Sequence, residues 1–411
     1  MRLLFSLHMA MALAQCALAQ GTWTRLDTSN TPLEQSMVNF LAFNTAGDLW
    51  TATEFDGGNG HGLLRYDGNE WTHYDVQDLP ALTNGVRCAV GDAAGNMWFA
   101  IHLKGLVKFD GTSWTVYNTV NSDIPSDVIT ALAVDENGDL WLGTWYEGLS
   151  RFDGTTWTTW DLSTTIPMQE NHCINTIEFF DGKVYMGLDC GNGLAYYDLA
   201  TESWGLVPGL PYSYVSALKN DGQGRLFVGY TFGGTAISYF DGSTWTHEWL
   251  PPYHTIARNG ITVDLDGQVW FSSIGLWYVV DGGVVQYGSP LPPEGAGSSI
   301  VIGPDGSIWW AEWNGIWTNG QLSVGINERE SATNELVMKP NPAAEHISIA
   351  WPGAITPLTI RVFNAHGALV GELSSARAEV VIERDGLPAG AYSVIVIGDG
   401  GEQVKGRVIF E

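Results

Sequence analysis

Positive charge is what this chain has least of. Among 411 residues, 18 are Lys or Arg against 45 Asp or Glu, a net charge of −27 with only 15% of residues charged. Phosphate backbones repel such a surface and no basic stripe offsets it, so nucleic acid is not an expected partner. Long apolar runs are also missing. Beyond the first twenty residues nothing reaches the roughly 18 uninterrupted apolar residues that a membrane helix needs. Sustained 3.6-residue periodicity is absent from residues 22–325, which argues against helices there. The nine histidines and four cysteines show no H-E-x-x-H or paired ligand spacing, and neither a G-x-S-x-G elbow nor a Walker loop occurs. No catalytic residue, metal ligand or cofactor is therefore assigned. In excess are 50 glycines and 19 tryptophans, with 45% hydrophobic residues overall. That is enough apolar material for a large core, and glycine with tryptophan suggests many short hairpins packed through wide flat layers.

Residues 1–19 read as a secretory signal. Arg2 gives a positive start, Leu3 to Leu13 a short apolar run, and Ala17-Leu18-Ala19 a small-residue cleavage site. A lipoprotein site ending at Cys16 is the rival reading, disfavoured by Gln15 immediately before it. Export implies an oxidising compartment with Cys88, Cys173 and Cys190 retained. Residues 173–180 and 183–190 flank Asp181-Gly182, the dipeptide that suits a two-residue hairpin turn. Counting outward from Phe180 opposite Lys183 places Cys173 opposite Cys190 on a non-hydrogen-bonded rung. Cα atoms there lie about 4.5 Å apart, within disulfide reach. A Cys173–Cys190 disulfide is expected, with Cys88 left as a buried thiol.

One phrase recurs: a turn rich in Asp and Gly, an aromatic residue, then small residues. Its aromatic anchors are Trp50, Trp98, Trp141, Tyr185, Phe227, Trp270 and Trp309. A second phrase follows each anchor, as in Phe109-Asp-Gly-Thr-Ser-Trp114 and Phe152-Asp-Gly-Thr-Thr-Trp157. Each unit holds four short apolar runs, in the third unit residues 128–134, 140–144, 148–152 and 157–160. Four strands per repeat of about 40–50 residues predict a blade of a β-propeller. The fold expected is all-β: a seven-bladed β-propeller over 20–326, a linker over 327–336, and a small Ig-like β-sandwich over 337–411. Both Thr22–Asp27 and Gln321–Gly325 could close the ring.

The third unit, from Val128 through Ala131, Leu132, Asp135, Gly138, Leu140, Trp141, Gly143 and Thr144 to Gly148, Leu149, Arg151, Phe152, Asp153 and Gly154, resembles the two-component regulator propeller repeat. The resemblance implies the fold and says little about activity. The tail, with Pro340-Asn-Pro-Ala343, Val362-Phe-Asn-Ala-His-Gly367, Leu387-Pro-Ala-Gly-Ala-Tyr392 and Lys405-Gly-Arg-Val-Ile-Phe410, resembles the type IX secretion C-terminal sorting domain. That resemblance implies the type IX secretion machinery and a sortase-like protease as partners. It also implies a secreted protein or one anchored at the outer-membrane surface.

Asp135–Asp139 and Asp264–Gly267 look calcium-like, but their repetition favours hairpin turns that use Asp to bond their own backbone. Aromatic residues outside the repeat fall in the loops between second and third strands and between blades, which propellers gather on one face. Phe55, His61, His102, Trp145, Tyr146, Glu147, Phe232 and Trp313 are the candidate ligand-binding residues. Glu54, Asp56, Arg87, Glu170, Asp189, Arg258 and Glu312 are polar companions, and Tyr212, Tyr214, Tyr253 and His254 further aromatic ones. Aromatic platforms beside carboxylates and amides suit sugar rings, so a glycan or peptide binding module is expected. The alternatives are a propeller enzyme at the channel, resembling the virginiamycin B lyase and using His102, Glu147 and Glu312, or a surface interaction scaffold.

Overall fold

In a computed structural model, the structure describes residues 23–320 except 34–36, 54–61, 76, 84, 167–172, 189–190, 232–235, 252–253, 281–282, 288–296 and 314. In the tail it describes 337–410 except 340–345, 351–357, 364–368, 378, 385–386, 389 and 398–402. The signal segment 1–19, the linker 327–336 and the ring-closing candidate Gln321–Gly325 lie outside the described residues. The chain divides into two compact units, residues 1–325 and 326–411.

In the first unit, seven four-stranded antiparallel sheets lie among the described residues: 38–74, 86–117, 129–160, 174–206, 215–249, 261–286, and 297–318 joined by Thr24–Leu26. The first six run in strict sequence order, each strand pairing with the next. The first strand of each sheet lies beside the first strand of its neighbour, and that of the seventh sheet lies beside that of the first. The unit is a β-propeller. Its closing strand is N-terminal: Thr24 faces Thr318, Arg25 faces Trp317 and Leu26 faces Ile316. Leu26 is 1% exposed, so closure buries an apolar anchor as well as pairing an edge.

Local chemistry explains why each unit folds this way. In the turn before the outer strand of the first five sheets the Asp carboxylate accepts backbone N–H bonds, as Asp153 does from Thr155 and Thr156, while Gly154 takes φ +94°. In the turn before the second strand, Asp92, Asp135 and Asp264 each accept two backbone N–H groups through one oxygen. Through the other they accept the anchor indole N–H of Trp98, Trp141 and Trp270 at 2.8–2.9 Å. The calcium-like segments are thus turns in which the Asp135 and Asp264 carboxylates are engaged by the fold. Anchors also wedge sheets together: Trp50 packs on Phe99, Phe109 and Trp114 of the second sheet. Gly143, two residues past Trp141, sits where the next sheet presses in, and a Cβ there would lie 2.5 Å from Ile174.

In the tail, one sheet pairs Val337–Lys339, His346–Ala350 and Glu379–Glu383, and the other orders Leu369–Ser375, Leu358–Phe363, Gly390–Ile397 and Gln403–Phe410. Ile347, Ile349, Ile360, Val394, Val396 and Phe410 pack in one buried cluster contributed by both sheets. The strand at Leu369–Ser375 was not foreseen. It lies at a sheet edge with partly exposed positions and lacks the apolar alternation of its neighbours.

Candidate functional site

Each first strand begins on the face that carries the second-to-third-strand loops, and there the strands share an irregularity. In six of the seven sheets the pairing with the second strand slips by one residue at the start. The bulged residues are Asn39, Arg87, Thr130, Asn175, Ser216 and Ser298, all polar. A bulge turns its side chain out of the ladder, and here four of the six bridge to the backbone carbonyl of the residue preceding the next sheet's bulge. Ser298 reaches Val38 O at 2.5 Å, Asn39 reaches Val86 O at 3.4 Å, Thr130 reaches Ile174 O at 2.6 Å and Asn175 reaches Val215 O at 3.5 Å. Ser216 continues the series to Ile256 O at 2.6 Å. The result is a belt of short polar side chains tying sheet to sheet around the channel mouth.

The same bulge corrects one expectation. The fourth hairpin keeps the anticipated register from Phe180 opposite Lys183 out to Thr176 opposite Gly187, then slips so that Ile174 faces Leu188. The counting that set Cys173 opposite Cys190 fails at that step. Cys173 is buried with its Sγ 3.6 Å from Asn175 Oδ1, and the expected pairing with Cys190 lies outside the described residues because Cys190 does. Cys88 is a buried thiol, pushed up to about 12 by burial, against which the nearby charges of Arg258 and Arg87 act.

The belt departs from its rule twice. In the second sheet the bulged residue is Arg87, 4% exposed, whose Nε donates to His102 Nδ1 at 3.2 Å and whose guanidinium lies 5.0 Å from the Trp145 ring centroid. In the sixth sheet the residue after Ile256 is Ala257, a turn at 257–260 replaces the bulge, and the first strand shortens to Ile261–Val263. Arg258 in that turn donates through Nη2 to Asn175 Oδ1 at 2.9 Å, passing over the fifth sheet to reach the fourth. Both guanidinium groups bear on Cys88 in the second sheet. Below them runs the channel, a cavity of about 410 Å³ lined by residues 41–43, 88–91, 130–134, 175–179, 218–219, 258–259, 261–262 and 300–301.

Of the candidate ligand-binding residues, His102 and Trp145 meet on either side of Arg87. Tyr146 stands beside Trp145 with ring centroids 6.2 Å apart and is 58% exposed, and Glu147 is exposed in the same loop. Trp313 is 62% exposed at the end of the seventh sheet. Phe55, His61 and Phe232 lie outside the described residues, as do Glu54, Asp56, Glu170, Asp189 and Tyr253. Tyr212 packs edge-on against Tyr230, and His254 against Trp277. Two of the three residues of the lyase alternative are engaged separately: His102 by Arg87, and Glu312, 3% exposed, by Trp317 Nε1 within its own sheet. Asn175 and Thr130 had not been singled out. A polar residue opening an otherwise apolar strand, at the same place in six of the seven repeats, was the available signal.

Residues 338–411 match the family of secretion system C-terminal sorting domains, and residues 123–146 match the two component regulator propeller. No curated protein matches the chain in sequence. Among solved structures, PorZ, described as a surface component of the type-IX secretion system of Porphyromonas gingivalis, is 17% identical with TM-score 0.54. The match covers 92% of this chain and 60% of PorZ. The extracellular domain of the hybrid two component system BT3049 from B. thetaiotaomicron is 17% identical with TM-score 0.60, covering 95% of this chain and 54% of that one. Virginiamycin B lyase from Staphylococcus aureus is 15% identical with TM-score 0.58, covering 73% of this chain and 99% of the lyase. The chain thus spans little more than half the length of the first two. Among the described residues no helix is long and apolar enough to cross a membrane. The chain is a secreted or cell-surface protein in which a β-propeller with a two component regulator repeat precedes a type IX secretion sorting domain.

Proposed function

We propose that the propeller is a binding module that recognises an extracellular glycan on its loop face, and that the sorting domain delivers it there and is then removed by a sortase-like protease. The observation that carries this reading is the Trp145–Arg87–His102 cluster. It joins the second and third sheets at the channel mouth and places the exposed ring of Tyr146 beside it. Flat aromatic faces next to fixed donors suit sugar rings and their hydroxyls. Arg87 already covers the Trp145 ring, so Tyr146 and Trp313 offer the more open faces to a ligand. Engagement of Glu312 by Trp317 and of His102 by Arg87 favours binding over the lyase alternative. A glycan array probed with the tail-free protein tests the proposal. The triple variant Trp145→Ala, Tyr146→Ala, Trp313→Ala should lose the array signal while retaining its far-ultraviolet spectrum. An unchanged profile, or a wild-type profile with no glycan bound, refutes it.

A further inference from the structure

From the two breaks in the polar belt we infer that the channel mouth carries an anion subsite, and that the ligand class is an acidic glycan whose carboxylate is held by Arg87 and Arg258. This rests on the glycan reading above and names the chemistry of its ligand. Four of the six bulges satisfy the belt with a short Asn, Ser or Thr reaching the next sheet, and Ser216 serves it with a bond to Ile256 O. The fold therefore needs nothing larger than these at that level. Where it departs, it places an arginine both times, in the second and the sixth sheets. The chain has only 18 Lys and Arg against 45 Asp and Glu, so two guanidinium groups at one mouth stand against the charge of the whole molecule.

Each is held in place by contacts within the fold. Arg87 is buried, fastened through Nε to His102 and laid against Trp145 at the mouth. Arg258 is carried across the fifth sheet and tied to Asn175. Planar guanidinium forks match carboxylates in two-point geometry, and an arginine held in place loses little freedom on binding. The exposed ring of Tyr146, beside Trp145, gives the ring of the same uronate residue a surface to lie on. A free peptide carboxylate would satisfy the arginines without using that ring, and it is the alternative that the test separates.

Binding of the tail-free protein to polygalacturonate, to its carboxyl-reduced form and to a panel of acidic peptides, measured by calorimetry at two salt concentrations, tests the inference. Polygalacturonate should bind, and carboxyl reduction should weaken it at least tenfold. Arg258→Gln should do the same, Arg258→Lys should restore part of the loss, and higher salt should weaken the native polymer more than the reduced one. Equal affinity for the native and reduced polymers overturns the anion subsite while leaving glycan recognition standing. Unchanged binding by Arg258→Gln overturns the assignment to that residue. Binding confined to acidic peptides, or no glycan bound at all, overturns both this inference and the reading beneath it.

Discussion

At the residue that opens the turn before the second strand, the first sheet differs from the third by one atom type, nitrogen for oxygen, and that difference has a calculable consequence. In the third sheet Asp135 accepts Trp141 Nε1–H at 2.9 Å. In the first, Asn44 stands at the equivalent place. Its Oδ1 accepts Asp48 N–H at 2.8 Å and its Nδ2 donates to Asp48 Oδ2 at 2.8 Å. Trp50, 1% exposed, is left with a buried Nε1–H that has no acceptor among the described residues. A buried donor without a partner costs about 1–3 kcal/mol. Asn44→Asp should recover part of that by supplying the missing oxygen. The gain is reduced by loss of the Asn44–Asp48 bond and by placing two carboxylates together. The third sheet shows the latter is tolerated: Asp139 lies near Asp135 with its carboxyl pushed up by burial and by that neighbour's charge, and Arg151 approaches it at 3.4 Å. Arg65 already sits on Asp48 at 2.8 Å to play the same part. The net expectation is a stabilisation of about 1 kcal/mol, from the lower end of the burial cost. The reciprocal change, Asp135→Asn, strands the Trp141 indole and should cost about 1–3 kcal/mol. For a unit of roughly 300 residues that is a fall of about 2–5 °C in midpoint. Thermal unfolding followed by tryptophan fluorescence reads both. A lower midpoint for Asn44→Asp, or no change for Asp135→Asn, would refute the reasoning.

Three further outcomes follow from the same structure. Asp153 is held at about 2 by the Thr156 backbone N–H and then by the Thr155 hydroxyl, and Asp67, Asp110, Asp198 and Asp241 in the matching turns are also lowered. A depressed carboxylate contributes fully above its unfolded value near 4 and loses that contribution as the pH falls through the folded one. Urea midpoints should therefore decline between about pH 4 and pH 2, and less steeply in Asp153→Asn; a flat profile there contradicts the account. Cys88, pushed up to about 12 by burial, should resist iodoacetamide at pH 8 until the protein is denatured. Rapid alkylation of native protein at that position would count against its placement. Gly143→Val drives a side chain into Ile174 and should lower stability by about 1–3 kcal/mol in equilibrium unfolding. An unchanged midpoint would mean the neighbouring sheet does not press there.

The repeat was legible because its cause is local. An aromatic anchor, a small residue after it and an Asp that closes a turn are each dictated within a few residues, so seven copies could be aligned by eye. Ring closure was not local. Thr22–Asp27 and Gln321–Gly325 carry equally plausible strand patterns, and only tertiary packing joins Thr24–Leu26 to the seventh sheet. The register counting that set Cys173 opposite Cys190 broke down for a sharper reason. A hairpin turn sets register only as far as the first bulge, and the bulge at Asn175 shows itself in sequence as nothing more than one polar residue opening an apolar strand. The candidate site divides in the same way. His102 and Trp145 stood out as residues breaking the repeat, whereas the contact between Arg258 and Asn175 spans 83 positions and exists only once the ring is folded.

The belt also supplies an internal control that separates binding from folding at Arg87. A strained or misplaced residue in a repeat is retained either because the fold needs it or because a site does. The first and fourth sheets show what the fold accepts at this level, since Asn39 and Asn175 each reach the neighbouring sheet's carbonyl. In Arg87→Asn the corresponding acceptor is the carbonyl of Ile129, which stands before Thr130 as Val86 stands before Arg87. The variant gains a hydrogen bond of about 0.5–1.5 kcal/mol. It loses the bond to His102 and a cation–π contact of about 0.5–2 kcal/mol. These oppose one another, so the unfolding midpoint should move little while polygalacturonate binding falls at least tenfold. If the midpoint collapses together with binding, Arg87 belongs to the architecture of the second sheet and the anion subsite reduces to Arg258 alone. If the midpoint holds and binding holds with it, the departure of the second sheet from the belt has no part in recognition.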